Sequence, residues 1–239
     1  MRILVINPNT SEHMTEDVKR TVERVKSPDV QVDVVHPDFG SESLESFYDY
    51  QLAAFGMFRS FGKKLDEYDG VLVACYGDPG LYGMKEICKC PVIGIAEGSI
   101  ALANLLGGKF AILAASKKAI PMMTNMVQQY GQNDRCAGVY ALNMSVLDAE
   151  EDKEKSIATL IEVGRKAMEN GAEVLIPGCA GLTGISEPVE KELGITVLDP
   201  VGSSYCVLEA IVKQGLKISR AGLYQEPPVK HIAREDLLG

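Results

Sequence analysis

The segment Gly70-Val-Leu-Val-Ala-Cys75 is short, almost wholly apolar and closed by a cysteine, and Glu173-Val-Leu-Ile-Pro-Gly-Cys179 repeats its shape 104 residues later. Runs that are apolar at successive positions, rather than at alternate ones, suit parallel strands covered on both faces. Working outward, strand-like runs are expected at 2–7, 30–35, 70–75, 92–95, 109–114, 136–142, 173–177 and 195–198. Helical stretches are expected between them at 11–26, 50–66, 99–106, 117–130, 151–169, 188–193 and 203–214. Strand, helix, parallel strand is the signature of a mostly parallel sheet with crossovers.

Two further pairs of segments echo one another. Lys109-Phe-Ala-Ile-Leu-Ala-Ala-Ser116 follows Arg2-Ile-Leu-Val-Ile-Asn-Pro-Asn9 by 107 residues, and Gly194-Ile-Thr-Val-Leu-Asp-Pro200 follows Pro91-Val-Ile-Gly-Ile-Ala-Glu97 by 103. Near-constant offsets predict two copies of one unit. The fold expected is α/β, with two pseudo-symmetric halves, each a four-stranded, mainly parallel sheet flanked by helices, and the active site in the cleft between them. The first half is placed at 1–97 together with part of the C-terminal tail (216–239), and the second at 98–215.

The bulk numbers narrow the partner. The chain has 239 residues, 46% apolar and 24% charged, with a formal net charge of −9. A nucleic-acid partner needs a positive stripe, and no basic run is longer than pairs such as Lys63-Lys64 and Lys117-Lys118. No apolar run approaches the roughly 18 residues of a membrane span. The stretch from Ile3 to Ile6 is too short for the core of a signal peptide, so a cytoplasmic location is expected. The six cysteines are read as reduced thiols, because a chain this long buries a core without staples. Cys88 and Cys90 lack a second pair at metal-ligand spacing, and the three histidines lie outside the apolar runs, so no metal site is expected.

Cys75 and Cys179 are the candidate catalytic residues. Each closes a strand and opens a glycine-rich turn, Tyr76-Gly77-Asp78-Pro79-Gly80 in one copy and Ala180-Gly181-Leu182-Thr183-Gly184 in the other. Ligands of open parallel sheets bind at the carboxyl ends of strands. Glycines there let backbone N–H groups approach an oxyanion such as an enolate. Asp78-Pro79 reads as the cap and first residue of a helix. A helix start would lower the thiol pKa by about one unit, too little to make the thiolate dominant. Cys88, Cys90, Cys136 and Cys206 are read as inert.

Ile6-Asn7-Pro8-Asn9-Thr10-Ser11, Cys75-Tyr-Gly-Asp-Pro-Gly80 and Gly178-Cys-Ala-Gly181 resemble the hydantoin and allantoin racemase family, within the aspartate/glutamate racemase superfamily. The resemblance runs to about residue 215. It implies a cofactor-independent isomerase: one thiolate takes the proton from a carbon beside a ring carbonyl, and the opposite thiol returns one to the other face. It implies a small-molecule substrate, a homo-oligomer, and substrate-binding roles for Asn7, Pro8, Asn9, Tyr76, Gly77, Ala180 and Gly181. Ser116 holds the matching place in the second half. Plainer alternatives are a capped turn at 7–9, an N-cap at Ser116 and wall packing by Tyr76. Tyr76 stands where many hydantoin-type members carry phenylalanine, and a hydroxyl there would favour a more polar substrate. Other readings are an aspartate or glutamate racemase, a decarboxylase or maleate-isomerase-type enzyme, and a non-catalytic binding protein. The first and the maleate isomerase need cations for carboxylates, and Lys117 is the one candidate near a motif.

Overall fold

The computed structural model describes residues 1–231 and Ala233. Its first half runs β1 (Arg2–Ile6), α1 (Glu12–Val25), β2 (Gln31–Val35), α2 (Phe47–Phe61), β3 (Gly70–Val73), α3 (Leu81–Ile87), β4 (Val92–Gly94) and α4 (Ile95–Leu106). The second half runs β5 (Phe110–Ala114), α5 (Ala119–Gln129), β6 (Cys136–Ala141), α6 (Val146–Glu151), α7 (Lys153–Glu169), β7 (Val174–Pro177), α8 (Ser186–Leu193), β8 (Thr196–Val197) and α9 (Pro200–Lys213). Two four-stranded sheets result, ordered β2-β1-β3-β4 and β6-β5-β7-β8, and every pairing is parallel.

The central strands explain the continuous apolar runs. All residues of β3, β5 and β7 are buried, whereas the edge strands β2 and β6 are mostly half-buried. Register places functional loops side by side. Ile6 pairs with Val73, and the Ala74 N–H donates to the Ile6 carbonyl at 2.8 Å, so the loop after β1 adjoins Cys75. In the second half, Leu113 pairs with Pro177 and the Gly178 N–H donates to the Leu113 carbonyl at 2.8 Å.

The halves are laced by an exchange of helices. α4 leaves the first sheet and packs on β5 and β7, while α9 leaves the second and packs on β3 and β4; the two helices lie against each other. The contact is close because Gly98 has no side chain: a Cβ there would sit 2.7 Å from the Ser204 side chain. The Ser204 hydroxyl donates to the Ile95 carbonyl at 3.0 Å. The expected boundary between 97 and 98 therefore falls inside α4.

Several elements differ from the sequence reading: α6 falls where no helix is expected, and α2 spans 47–61 instead of 50–66. α3 starts later than the Asp78-Pro79 pair predicts: its N-cap is Gly80, in the left-handed region at φ 68°, rather than Asp78. α4 begins at Ile95, directly after β4, rather than near 99, because the Asp78 carboxylate accepts the N–H groups of Ala96 and Glu97 at 3.2 and 2.9 Å. Asp78 thus caps a helix, but a different one. Beyond α9 the tail lies on the first half, where Arg220 donates to the carbonyls of Lys85, Glu86, Cys88 and Tyr224. The part of the tail expectation that falls on 232 and 234–239 lies outside the described residues.

Candidate active site

Both cysteines stand at the carboxyl end of the central part of their sheets, and both line one cavity of about 560 Å³, its open mouth included. Their local geometry is alike. The Gly181 N–H donates to the Cys179 sulfur at 3.3 Å, and the Gly77 N–H donates to the Cys75 sulfur. Each thiol therefore meets a backbone donor two residues on, the geometry of a tight turn after a strand.

Burial pushes the Cys75 thiol up to about 12; the Gly77 N–H opposes this, while the charges of Cys179 and Asp78 add to it. Cys75 keeps some surface toward the cavity, but protein encloses it closely, so desolvation of the thiolate outweighs the single N–H. The expectation of a lowered thiol pKa is not met. Its supposed source, a helix opening at Asp78, is displaced to Gly80 in a seven-residue helix.

Of the other sequence candidates, Asn9, Tyr76, Gly77, Ser116, Ala180 and Gly181 line the cavity, while Asn7 and Pro8 do not. Asn7 is buried beneath the loop, its amide donating to Asn9 Oδ1 at 2.7 Å and to Thr15 Oγ1 at 3.0 Å. Asn9 Oδ1 also accepts from the Ser11 N–H at 2.9 Å, so the loop is internally tied before Ser11 caps α1. Tyr76 contributes wall, but its side chain belongs to the apolar core, its hydroxyl near Ser99 and Cys136. The expected effect of that hydroxyl on a substrate has no geometric basis. Ser116 precedes α5, whose cap is Lys118 with no side-chain hydrogen bond.

The cavity wall also holds residues that motif reading passed over: Met14, Glu45, Tyr50, Met122 and Met123. Among the described lining residues none is cationic, and Glu45 alone carries a charge. Lys117, the cation nearest a motif, is exposed and outside the cavity. Asp78 lies behind the Cys75 turn. Burial raises its carboxyl to about 7, against the pull of three donors: Tyr130 Oη at 2.6 Å and the Ala96 and Glu97 amides. Since Tyr130 follows α5, this contact joins the two halves.

The chain is similar to known proteins over nearly its whole length. The sequence model of the Asp/Glu/Hydantoin racemase family matches residues 3–204. A hydantoin racemase of Pseudomonas sp. (strain NS671) is 36% identical over 232 residues, 96% of this chain and 93% of its own. The solved allantoin racemase from Klebsiella pneumoniae superposes with a TM-score of 0.92 at 29% identity, covering 100% of this chain and 98% of that one. The allantoin racemase from Pseudomonas fluorescens gives 0.93 at 30% identity, covering 98% and 100%.

Proposed function

The chain belongs to the Asp/Glu/Hydantoin racemase family and is a racemase, and from that premise we propose that it inverts 5-substituted hydantoins or allantoin by proton transfer between Cys75 and Cys179. One sulfur, as thiolate, takes the proton from the carbon beside the ring carbonyl. The electron pair of the C–H bond delocalises onto the carbonyl oxygen as an enolate. The other sulfur, as thiol, delivers its proton to the opposite face, and the charge ends on that second sulfur. No group beyond the protein's own is needed for the balance.

The observation that carries this reading is the pair of thiols on one cavity whose described wall bears no cation. A free amino acid or a dicarboxylate brings a carboxylate, for which Arg and Lys are the strong partners; a neutral ring calls for neither. Its ring or ureido N–H groups suit Glu45 as acceptor. The turn N–H groups of Gly77 and Gly181 and the walls at Asn9, Ser116 and Ala180 surround the ring. The half from β1 to α4, with the tail, and the half from β5 to α9 act together as one catalytic unit. We place the enzyme in the cytoplasm, which suits its free thiols, and as a homo-oligomer, as the family resemblance implies.

The test is chiral monitoring of allantoin, aromatic and aliphatic hydantoins, aspartate and glutamate in D2O. The wild type should racemise ring substrates, Cys75→Ala and Cys179→Ala should not, and a single Cys→Ser variant should exchange deuterium into one enantiomer only. Full racemisation by either alanine variant rules out the two-sulfur scheme, and activity confined to the amino acids rules out the ring substrates.

A further inference from the structure

Tyr50 stands in the first turns of α2, 25 residues before Cys75 in the chain, and reaches the cavity across the Gly77 turn. Its placement depends on a missing side chain. A Cβ on Gly77 would lie 2.1 Å from Tyr50 Cζ and 2.3 Å from its hydroxyl oxygen. The phenol is therefore laid directly on the residue whose N–H donates to the Cys75 sulfur. Phe47 packs against the ring, edge to face at 6.0 Å and 85°.

The hydroxyl is held in place yet unspent. It has no hydrogen-bond partner among the described residues, and it is not a sealed, orphaned atom either. A phenol that packs this tightly usually finds a partner when buried. Here the direction left to it is the cavity. Both sulfurs are near enough for their charges to act on it, which raises the phenol's pKa on top of the effect of burial. It therefore stays an O–H donor and does not compete with the thiols as a proton source.

We propose that the Tyr50 hydroxyl is a catalytic residue that donates a hydrogen bond to the enolate oxygen formed while the proton passes between Cys75 and Cys179. The proposal rests on the ring-substrate reading above. The hydroxyl meets the neutral carbonyl oxygen in the ground state and the charged one in the transition state. A donor gains most on the charged form, so its contribution falls on turnover rather than on binding. The hydroxyl that matters to the substrate is thus that of Tyr50, from a different element, and not that of Tyr76 beside the cysteine.

The test is Tyr50→Phe, which keeps the ring on Gly77 and removes one oxygen that no described protein group uses. Racemisation kinetics are measured alongside binding of 5,5-dimethylhydantoin, which has no proton to lose at that carbon. We expect kcat to fall about 100-fold, with KM and dimethylhydantoin affinity within about threefold of wild type. A kcat within about threefold of wild type overturns the role, as does an equal fall in kcat and dimethylhydantoin affinity, which marks ground-state packing. A wild type that racemises neither hydantoins nor allantoin sinks the substrate reading itself and this role with it, a result visible before the variant is made.

Discussion

Gly94 is where a single methyl group tests the support of the Cys75 turn. Its backbone, φ −99° and ψ 160°, is one that alanine adopts freely, so Gly94→Ala adds no backbone strain. The added Cβ would, however, stand 2.0 Å from Asp78 Oδ1 and 2.2 Å from its Cγ. Asp78 sits at φ 43°, and its carboxylate must swing out of the space it now fills. Three contacts go with it. The Ala96 and Glu97 amides lose their cap, at a cost of about 1 kcal/mol. Tyr130 loses a bond to a charged or half-charged partner, about 1.5–3 kcal/mol. Repacking of the displaced side chain adds about 1–3 kcal/mol. The low ends alone come to about 3.5 kcal/mol, which lowers Tm by about 10 °C for a chain of this size.

Thermal melts followed by circular dichroism read that shift, and racemisation rates read its effect on Cys75, whose carbonyl accepts from the Asp78 N–H at 3.0 Å. The decisive comparison uses Asp78→Gly, which keeps the left-handed turn and removes the carboxylate. On that background Gly94→Ala should cost less than about 1 kcal/mol, because the clash has no partner left. A Tm within about 2 °C of wild type for the single variant, or the same loss on both backgrounds, refutes the claim that the Asp78 carboxylate occupies the place of a Gly94 side chain.

Two further outcomes follow from the same geometry. In Cys179→Ser, where Cys75 is the remaining cavity thiol, the base is the thiolate; the push from the Cys179 charge is gone, but burial, the largest cause, still holds its pKa above the ordinary value. Deuterium exchange should therefore rise about tenfold per pH unit from pH 7 to 9, and a plateau below pH 9 in the rate profile would show that Cys75 ionises more easily than its burial requires. Lys153 ties the second turn down, its Nζ donating to the Gly181 carbonyl at 2.7 Å and pairing with Asp17 at 3.1 Å. Lys153→Met should lower kcat about tenfold through a misplaced Cys179, with Lys153→Arg restoring most of it; a lowered Tm at unchanged kcat would leave Lys153 with a structural role alone.

The parts legible in the sequence were those that local pattern controls. The central strands β1, β3, β5 and β7 are apolar because both faces are covered, and that shows in a one-dimensional string. The position of each cysteine relative to its strand showed as well, since the repeat offsets carried it. What stayed hidden depends on which surfaces meet. Nothing in the composition of α4 or α9 says that each crosses to the other half's sheet. Asp78 was recognisable as a cap, but the helix it caps starts 17 residues on, at Ile95, because β4 lies beside β3. Tyr50 reaches the cleft from another element, and its only local trace is the glycine at 77 that makes room for it. Tyr76 could have been read more closely. Its large ring follows a fully buried strand, which suits it to core packing as well as to the cavity wall.

The electrostatics of the cavity give the paired thiols a logic that a single sulfur lacks. At a pKa of about 12, Cys75 is thiolate in roughly one molecule in 10⁵ at pH 7, a cost on the order of 7 kcal/mol. Turnover at about 10 s⁻¹ corresponds to a barrier of about 16 kcal/mol, so that cost can be carried within it. A second thiolate is a different matter, because the charge of Cys179 is itself among the causes that raise Cys75. Like charges in one low-dielectric site drive their titrations apart, so the pair holds one proton when it has lost the other. Whichever sulfur is the base, its partner is then still an acid, which is the condition for returning a proton to the opposite face. In the proposed transfer the negative charge moves from sulfur to enolate oxygen and on to the second sulfur without doubling. A substrate that brought its own carboxylate would place a second anion in this cavity beside Glu45, with no cation on the described wall to meet it; a neutral ring keeps the count at one.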